Sequence, residues 1–399
     1  MAITIETAAS ASAVNPAYNE IIYVCSSTNV AQPGFKYLVD IYLDGVKVSR
    51  RRVSAEPINN KLIVDVSSII ENFINSHDLV YPFSTNPIIS AEDSCKDFVV
   101  KFGEEYLVAT VRTQFPDLVT DTFRAYNCAY NYTEWVNSSG TNTGVLTDKP
   151  AIAYKSGYYG AGHSSIVLAS GATLTSYTIQ TYLAGVLQDT YVIPLGAVGA
   201  KTAYNFATGF DSINLINSVL ITGAPTQPIL TTAIDRYDIA ITTSVGTTLP
   251  IIHNLVDRCE EQESDRLHFL NRFGGADTFD FTLLGTSSVQ MEKKTMRRSV
   301  NRLTSAGAAT ASTEDRGLTT YNSTFNRVDK LSSNWITEEE SNWLVDLLAS
   351  PKVILERDGL FVSVVIEDTS YDFKTEQKDQ LFKIDVNIKH SIKENRQRG

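Results

Sequence analysis

The chain has 399 residues, of which 43% are hydrophobic and 20% are charged, and its formal net charge is -11. This length exceeds the usual size of one domain, so we expect two or three domains that each bury their own core. The acidic balance disfavours broad binding to nucleic acid or to anionic membranes, because the average surface repels phosphate groups. The 19 Tyr and 17 Phe residues favour sheet over helix.

The four cysteines are far apart and follow no metal-binding spacing, so we expect free thiols and assembly in a reducing compartment. They are Cys25, Cys95, Cys128 and Cys259. No stretch approaches the roughly 20 apolar residues of a membrane span, and the first residues lack the charge pattern of a signal peptide. We therefore expect no membrane anchor.

The first 125 residues predict an N-terminal β-sandwich with one short helix. Apolar residues alternate over 35–43, and Asp44-Gly45 then gives a strong hairpin signal. Ser68 and Glu71 have the spacing of a capping box and begin an apolar stripe, which predicts a short helix on the sheet. Further strands are expected at 18–24, 62–66, 98–102 and 106–111.

Residues 126–255 predict a middle β domain of low charge, rich in Gly, Ser, Thr, Ala and Tyr. Short strands with glycine turns recur in it, for example at 164–171 and 175–183. The low charge has two explanations that the sequence leaves open. Neighbouring molecules cover these surfaces, or a large core lies between two sheets.

Residues 256–399 predict a C-terminal β-rich domain with one helix at 337–349. Thr337 is the expected N-cap of this helix, Glu340 completes a capping box, and Pro351 ends it. Three strands are expected after the helix. The polar segment 301–320 is longer than the loops that a compact domain needs, so we predict a functional or mobile loop there.

The start of this last domain contains the most informative segment of the chain, a strand pair joined by a glycine turn. Apolar residues alternate over 267–273 and again over 279–283, and Gly274-Gly275 supplies the turn, where positive φ is required. Arg272 and Asp277 are close enough in sequence to pair across it. We predict a structural and assembly hairpin formed by Asn271, Arg272, Phe273, Gly274, Gly275 and Asp277.

Catalytic motifs are missing from the sequence: the patterns of serine hydrolases, zinc proteases and P-loop enzymes do not occur. Asp277 and Asp280 are a candidate acid–base pair for glycoside cleavage, but such pairs arise by chance among 45 acidic residues. We predict no catalytic residue, no cofactor and no metal site. The histidines are scattered singly, at His77, His163, His253, His268 and His390.

A basic run is the sharpest charge feature of this acidic chain, and it contains Lys293, Lys294, Arg297 and Arg298. One hypothesis makes it a contact patch for an acidic neighbour or for phosphate. The other hypothesis makes it an exposed strand whose charges deter edge pairing, and we favour this second hypothesis. The shorter run 50–52, which is three arginines, permits the same two interpretations.

Several segments resemble a recurring type of virion structural protein in tailed phages of Bacteroidota, the crAss-like phages included. The resemblance covers roughly the first 110 and the last 145 residues, and the middle is unmatched. Leu270 stands where an aromatic residue is common in the Asn-Arg-Phe-Gly-Gly signature of that type. The matching segments are 17–19, 26–29, 35–45, 64–73, the signature at 269–277, and 343–389.

The resemblance implies a non-enzymatic component of a neck or tail ring or tube, assembled in the host cytoplasm and located in the virion. It implies a homo-oligomeric ring of about twelve copies, with other neck or tail proteins as neighbours. Genomic DNA would pass as transient cargo through the ejection conduit that such a ring helps to build, and an acidic lining would avoid holding it.

Two other functions remain open at the level of sequence. A receptor-binding or carbohydrate-binding tail module is the main alternative, because the Tyr-rich middle domain offers aromatic rings for stacking. A tail-associated glycan hydrolase is the less favoured alternative.

Overall fold

The computed structural model shows a mainly β protein with several separate sheets and a few short helices, as the sequence predicts. The described residues are 3–9, 14–76, 85–137, 144–149, 155–156, 160–168, 171–195, 203–223, 228–255, 265–299, 301–311, 313, 317–367 and 382–395.

The chain divides into two compact units. Unit 1 comprises residues 1–257 and 270–278, and unit 2 comprises 258–269 and 279–399. Residues 270–278, which form the tip of the predicted hairpin, thus belong to unit 1. Most residues of the two strands of this hairpin belong to unit 2. The predicted division into three domains, at 125 and 255, stays a prediction.

Unit 1 is built mostly of strands, with helical segments of six residues or fewer among its described residues. The helices are α1 (Ser67–Ile70), α2 (Tyr132–Asn137) and α3 (Phe210–Asn214), with 3-10 turns at Glu71–Phe73, Glu92–Ser94 and Ser218–Leu220. The strands are β1 (Ile3–Thr7), β2 (Val14–Pro16), β3 (Ile22–Ser27), β4 (Lys36–Leu43), β5 (Val46–Val53), β6 (Leu62–Asp65), β7 (Ile88–Ser90), β8 (Cys95–Val108), β9 (Val111–Tyr126), β10 (Gly144–Val145), β11 (Lys155–Ser156), β12 (His163–Val167), β13 (Leu174–Leu183), β14 (Val186–Pro194), β15 (Ala203–Ala207), β16 (Arg236–Thr243), β17 (Gly246–Thr247) and β18 (Ile251–Leu255).

Two sheets of unit 1 share the first core. Their strand orders are β1-β3-β6 and β2-β9-β8-β4-β5. Alternate residues of both sheets point into that core, which makes a sandwich. Asp44 and Gly45 both have positive φ, as the predicted hairpin turn between β4 and β5 requires. Buried residues from the two sheets include Tyr23, Leu62, Tyr37, Val39, Ile41, Phe98, Val100, Phe102 and Phe123.

Two predictions for this region are wrong. Strands 98–102 and 106–111 are not separate: β8 runs through to Val108 and turns into β9 at Ala109-Thr110, which have positive φ without glycine. The capping box is also absent, because α1 has Val66 as N-cap without a side-chain hydrogen bond. Asp65, at the end of β6, accepts the amide hydrogen bond of Ser67 instead.

Two further sheets of unit 1 share a second core, which accounts for the apolar character of the middle region. Their orders are β10-β12-β15-β7 and β11-β18-β16-β13-β14, and β17 pairs with β16. Strand β7 precedes residue 125 yet pairs with β15. The buried residues include Ile166, Tyr177, Ile179, Tyr204, Phe206, Ile213, Tyr237, Ile239 and Ile241.

The elements of unit 2 follow in chain order, and the first two strands extend across the division between the units. They are β19 (Asp265–Leu270), β20 (Ala276–Phe281), β21 (Leu283–Arg297), β22 (Arg302–Leu303), β23 (Ala309–Thr310), β24 (Leu318–Ser332), α4 (Glu338–Trp343), α5 (Val345–Ala349), β25 (Val353–Arg357), β26 (Leu360–Ile366), β27 (Asp385–His390) and β28 (Glu394–Asn395).

Unit 2 centres on one curled sheet of order β20-β19-β25-β26-β27-β24-β21, with β28 paired to β24. Strands β20 and β21 lie at opposite ends of this order, yet only Thr282 separates them in sequence, so the sheet curls back on itself.

The predicted helix at 337–349 forms with its predicted cap. Thr337 and Glu340 make the reciprocal hydrogen bonds of a capping box, although Leu344 divides the helix into α4 and α5. Trp343 is fully buried, and its ring centroid lies 5.6 Å from that of Phe269 and 6.1 Å from that of Phe279. The helix therefore closes one end of the core of unit 2.

The prediction of an irregular loop at 301–320 is wrong in part. Strands β22 and β23 pair within it around Gly307, which has positive φ, and β24 begins at Leu318. Residues 312 and 314–316 lie outside the described residues. Among the residues that the structure describes, no helix has the length and apolar character needed to cross a membrane.

Candidate functional site

The six predicted hairpin residues come together as a tight turn within unit 1. Asn271 organises it: its amide N–H donates to the Gly275 carbonyl at 2.9 Å, and its carbonyl accepts from Gly274 at 3.0 Å. Its side-chain oxygen accepts from the Gly275 amide at 2.9 Å. One buried asparagine therefore satisfies most of the polar backbone atoms of the turn.

The side-chain nitrogen of Asn271 extends this network to other segments. It donates to the Leu146 carbonyl at 2.7 Å and to the Asp277 carboxylate at 2.8 Å. The same carboxylate oxygen accepts from Thr147 at 2.8 Å. Asn271 and Asp277 are both buried, so these hydrogen bonds offset the desolvation of a carboxylate.

Each glycine of the signature has its own steric reason. Gly274 has φ of 76°, and a Cβ at this position would overlap the Asn127 carbonyl oxygen. A Cβ at Gly275 would overlap the Leu146 carbonyl oxygen. The sequence predicts the turn, but not this close packing of the turn on residues more than a hundred positions away.

Arg272 and Phe273 hold the outer side of the turn. Arg272 forms ion pairs with Glu134 at 2.9 Å and with Asp148 at 2.7 Å, and its guanidinium lies 4.5 Å from the Phe273 ring centroid. Phe273 packs edge to face on Tyr130. The expected partner of Arg272 was Asp277, whose carboxylate instead serves Asn271 and Thr147. The tip thus fastens distant parts of unit 1 together.

The predicted contact patch lies on a different feature, an antiparallel ribbon in unit 2. We define the ribbon as residues 289–299 of β21 and its continuation, paired with 317–327 of β24. Strand β24 pairs with β27 only at 328–332, so this part of the two strands extends past the main sheet. Strand β28 adds contacts at Thr324 and Phe325.

A buried carboxylate fixes the base of the ribbon. Asp329 accepts hydrogen bonds from Ser287 and from Arg357 at 3.0 Å, and His390 Nε2 lies 3.2 Å away. Arg357 also binds both carboxylate oxygens of Asp265. Burial raises the pKa of Asp329, but hydrogen bonds from Ser287 and His390 and the charge of Arg357 outweigh it, so the pKa lies below the usual value.

The four basic residues of the patch, Lys293, Lys294, Arg297 and Arg298, are exposed on the ribbon. None of them forms an ion pair within the described part of the chain. The ribbon also exposes large apolar side chains, with Met291 at 65% and Leu318 at 66% exposure. Val289 and Tyr321 are exposed as well.

The arginine run 50–52 has the opposite character. Arg50 binds both oxygens of buried Asp40 at 2.6 Å, Arg51 donates to the Asp65 carbonyl, and Arg52 pairs with buried Glu105. Burial raises the pKa of Asp40, but hydrogen bonds from Arg50 and Lys47 outweigh burial, and its pKa lies below the usual value. Arg50 and Arg52 are therefore held by buried carboxylates of unit 1, and the contact hypothesis for this run stays a prediction.

The candidate catalytic carboxylates are engaged in structural bonds. Asp280 is held by Arg266 through two hydrogen bonds of 2.5 and 2.9 Å, and Asp277 belongs to the network of the turn. Among the described residues, no cluster of His, Cys, Asp and Glu has the arrangement of a metal site. His268 contacts Glu356 at 2.8 Å, and His77 lies outside the described residues.

Three tyrosines of the Tyr-rich middle region lie in the second core, whereas Tyr132 is exposed. Tyr177, Tyr204 and Tyr237 are fully buried, and Tyr177 and Tyr237 donate to the carbonyls of Ala207 and Thr208. These three rings do not reach a ligand at the surface. Cys25, Cys95 and Cys128 are buried and form no disulfide, as predicted, and Cys259 lies outside the described residues. Burial raises the pKa of Cys25 to about 12.

Sequence reasoning missed the base of the ribbon. Asp329, Arg357 and Asp265 are separated by up to 92 positions, and only their strand pairing brings them together. The available signal was alternation along β21, where Ser287 and Val289 share a face.

No protein-family model matches the sequence, and a search of curated proteins finds no match.

Proposed function

We propose that this chain is a non-enzymatic structural component of a tailed-phage virion. It forms part of a neck or tail ring or tube through contacts between subunits, and it helps to build the conduit for DNA ejection. The chain is assembled in the host cytoplasm and retained in the virion. The resemblance at the N-terminus, at the 269–277 signature and at 343–389 gives this proposal its starting point.

The observation that carries the proposal is the exposed ribbon. Its basic and apolar side chains lie on a feature that extends past the main sheet and is fixed at its base by Asp329. A base held by hydrogen bonds and an outer part with exposed side chains suit a contact made with another molecule. The signature turn, in contrast, fastens segments of unit 1 to one another and is not part of the ribbon.

The charge of the chain agrees with a conduit. A net charge of -11 per subunit, repeated around a ring, would repel the phosphates of passing DNA and prevent tight binding. Asp277 and Asp280, the acid–base pair considered for glycan hydrolysis, are held by other side chains of the chain. Tyr177, Tyr204 and Tyr237 are buried and do not offer their rings for carbohydrate stacking.

The test is genetic and structural. In the phage that encodes this chain, an amber codon early in its gene should give particles without a functional neck or tail, and the wild-type gene supplied in trans should restore infectivity. Quantitative mass spectrometry of restored particles should give a fixed copy number that matches a ring. A synonymous change at the same codon is the matched control.

Two results would contradict the proposal. One is an infectious particle that lacks the chain. The other is a variable copy number that depends on expression, which would indicate a passenger. Charge reversal of acidic residues that face the lumen in a particle structure should slow DNA ejection; unchanged ejection would contradict the conduit role alone.

A further inference from the structure

We infer that the ribbon is a self-association surface, which binds an acidic surface of a second copy of this chain. The inference rests on the proposed function and adds to it the surface that makes the contact. The ribbon consists of residues 289–299 and 317–327, and the residues that act are Lys293, Lys294, Arg297 and Arg298 with the apolar residues beside them.

Charge separation within the chain is the first argument. Residues 289–327 contain seven basic and three acidic residues, so their net charge is +4, while the rest of the chain carries -15. The chain therefore contains its own complementary partner. A copy that presents its acidic surface to the ribbon of the next copy joins opposite charges, which suits a head-to-tail contact of the kind that closes rings.

The two arginine and lysine runs supply the second argument. In unit 1, Arg50 and Arg52 find Asp40 and Glu105 within the chain. The four ribbon cations have no such acidic partner among the described residues.

The apolar residues supply the third argument, because large exposed apolar side chains stand among the polar residues of the ribbon. Val289 and Met291 lie two positions apart on one face, and Leu318 pairs with Arg297 across the strands. All three apolar side chains are more than half exposed. A two-stranded ribbon is marginally stable in water, so a partner that covers these side chains also stabilises the ribbon.

The same features favour a protein partner over nucleic acid. Phosphates are bound by cations and polar groups, and apolar contacts such as Met291 add nothing to them. A nucleic acid would also approach a chain whose remainder carries -15. An acidic protein surface accepts both the cations and the apolar side chains.

The decisive experiment measures self-association of the full chain by sedimentation equilibrium at low and high salt. The parent chain should associate reversibly, and more weakly as salt rises, because salt screens exposed charges. Replacing the four cations (Lys293→Ser, Lys294→Ser, Arg297→Ser and Arg298→Ser) should weaken association by at least about tenfold. Met291→Ser with Leu318→Ser should also weaken it, but without changing the salt dependence.

Two double variants of equal charge change separate the ribbon from charge in general, although Lys36 and Lys96 are half-buried and Lys293 and Lys294 are exposed. Lys293→Ser with Lys294→Ser removes two positive charges from the ribbon, and Lys36→Ser with Lys96→Ser removes two from unit 1. Only the first pair should weaken association. Circular dichroism of each variant checks that the fold is retained.

A cross-linking experiment identifies the partner surface. A carbodiimide joins lysines directly to carboxylates in contact, and a mixture of ¹⁴N and ¹⁵N chains shows which links join two copies. Links from Lys293 or Lys294 to aspartate or glutamate of the other isotope are expected at low salt and should vanish at high salt.

Three results would overturn the inference. The first is a parent chain that stays monomeric at every concentration. The second is an equal loss of self-association in the ribbon pair and the control pair of variants. The third is a four-cation variant that loses binding to duplex DNA while its self-association is unchanged. If one of these results is found but virions contain the chain, the inference about the ribbon fails and the proposed function stands. Virions that lack the chain would contradict the proposed function, whatever the ribbon does.

Discussion

The hairpin tip and the ribbon are both antiparallel strand pairs, and they use their polar side chains in opposite ways. At the tip, Asn271 and Arg272 are bound to other segments of unit 1. On the ribbon, Lys293 and Arg297 are exposed without acidic partners among the described residues. A sharp sequence motif can therefore mark internal fastening, and the surface offered to a partner is found by asking which groups stay unsatisfied.

Two glycines with positive φ give the largest expected contrast. Gly274→Ala should destabilise the chain by about 3 kcal/mol or more, since the new methyl group meets the Asn127 carbonyl. Gly307→Ala in the segment that joins the ribbon strands meets only open space, so backbone strain of about 1 kcal/mol is expected. Chemical denaturation of both variants measures the difference. Equal effects would show that the tip is not closely packed.

Two asparagines test the hydrogen bonds. Asn271→Ala leaves the Gly275 amide and the Leu146 carbonyl without their partner, so a loss of about 2 to 3 kcal/mol is expected. Asn322→Ala on the ribbon should cost less than about 1 kcal/mol, because it lies on a half-exposed strand. Urea unfolding curves with unchanged slopes would give these values. A neutral Asn271→Ala would contradict the role of this residue.

Two glutamates extend the comparison to ion pairs and to pH. Hydrogen bonding by Arg112 lowers the pKa of buried Glu105, so its contribution to stability is present above the ordinary carboxyl pKa and is lost as the pH falls through the lower folded value. Glu105→Gln should cost about 1 to 2 kcal/mol at neutral pH and flatten the acid side of the stability curve.

The ribbon offers a control for that prediction. Glu292 pairs with Lys393 at 3.7 Å, and both side chains are 61% exposed. Glu292→Gln should therefore change stability by less than about 0.5 kcal/mol and leave the pH profile unchanged. Thermal unfolding from pH 7 down to about 3 compares the two variants. Parallel pH profiles for both variants would contradict the prediction.

The smallest expected effect is on the folding of the patch variant. Replacing Lys293, Lys294, Arg297 and Arg298 by serine should change the free energy of unfolding by less than about 0.5 kcal/mol, because exposed unpaired cations contribute little. Calorimetry at low protein concentration tests this without interference from association. A large loss would show that the cations stabilise the ribbon itself.

Local patterns predicted the elements well where one residue decides the geometry. Asp44-Gly45 gave the first hairpin turn, Gly274 the second, and Thr337 with Glu340 the helix cap. The mainly β fold followed from composition and alternation. Such features depend on residues that are close in sequence, so they can be predicted from one sequence alone.

Features that depend on distant contacts could not be predicted. The turn at Ala109-Thr110 has positive φ without glycine, because the long pairing of β8 with β9 imposes it. The partners of Arg272 lie at Glu134 and Asp148, far along the chain. The sequence predicts the basic run as a possible contact patch, and the exposure of its side chains on the ribbon became visible only in the structure.

The buried carboxylate of Asp329 has a mechanical consequence. Through Ser287, Arg357 and His390 it joins β21, β24, β25 and β27, and Arg357 carries the link on to β19 through Asp265. Tension applied along the outer strands would reach five strands at once and load their hydrogen bonds in shear, the direction in which a sheet resists rupture best.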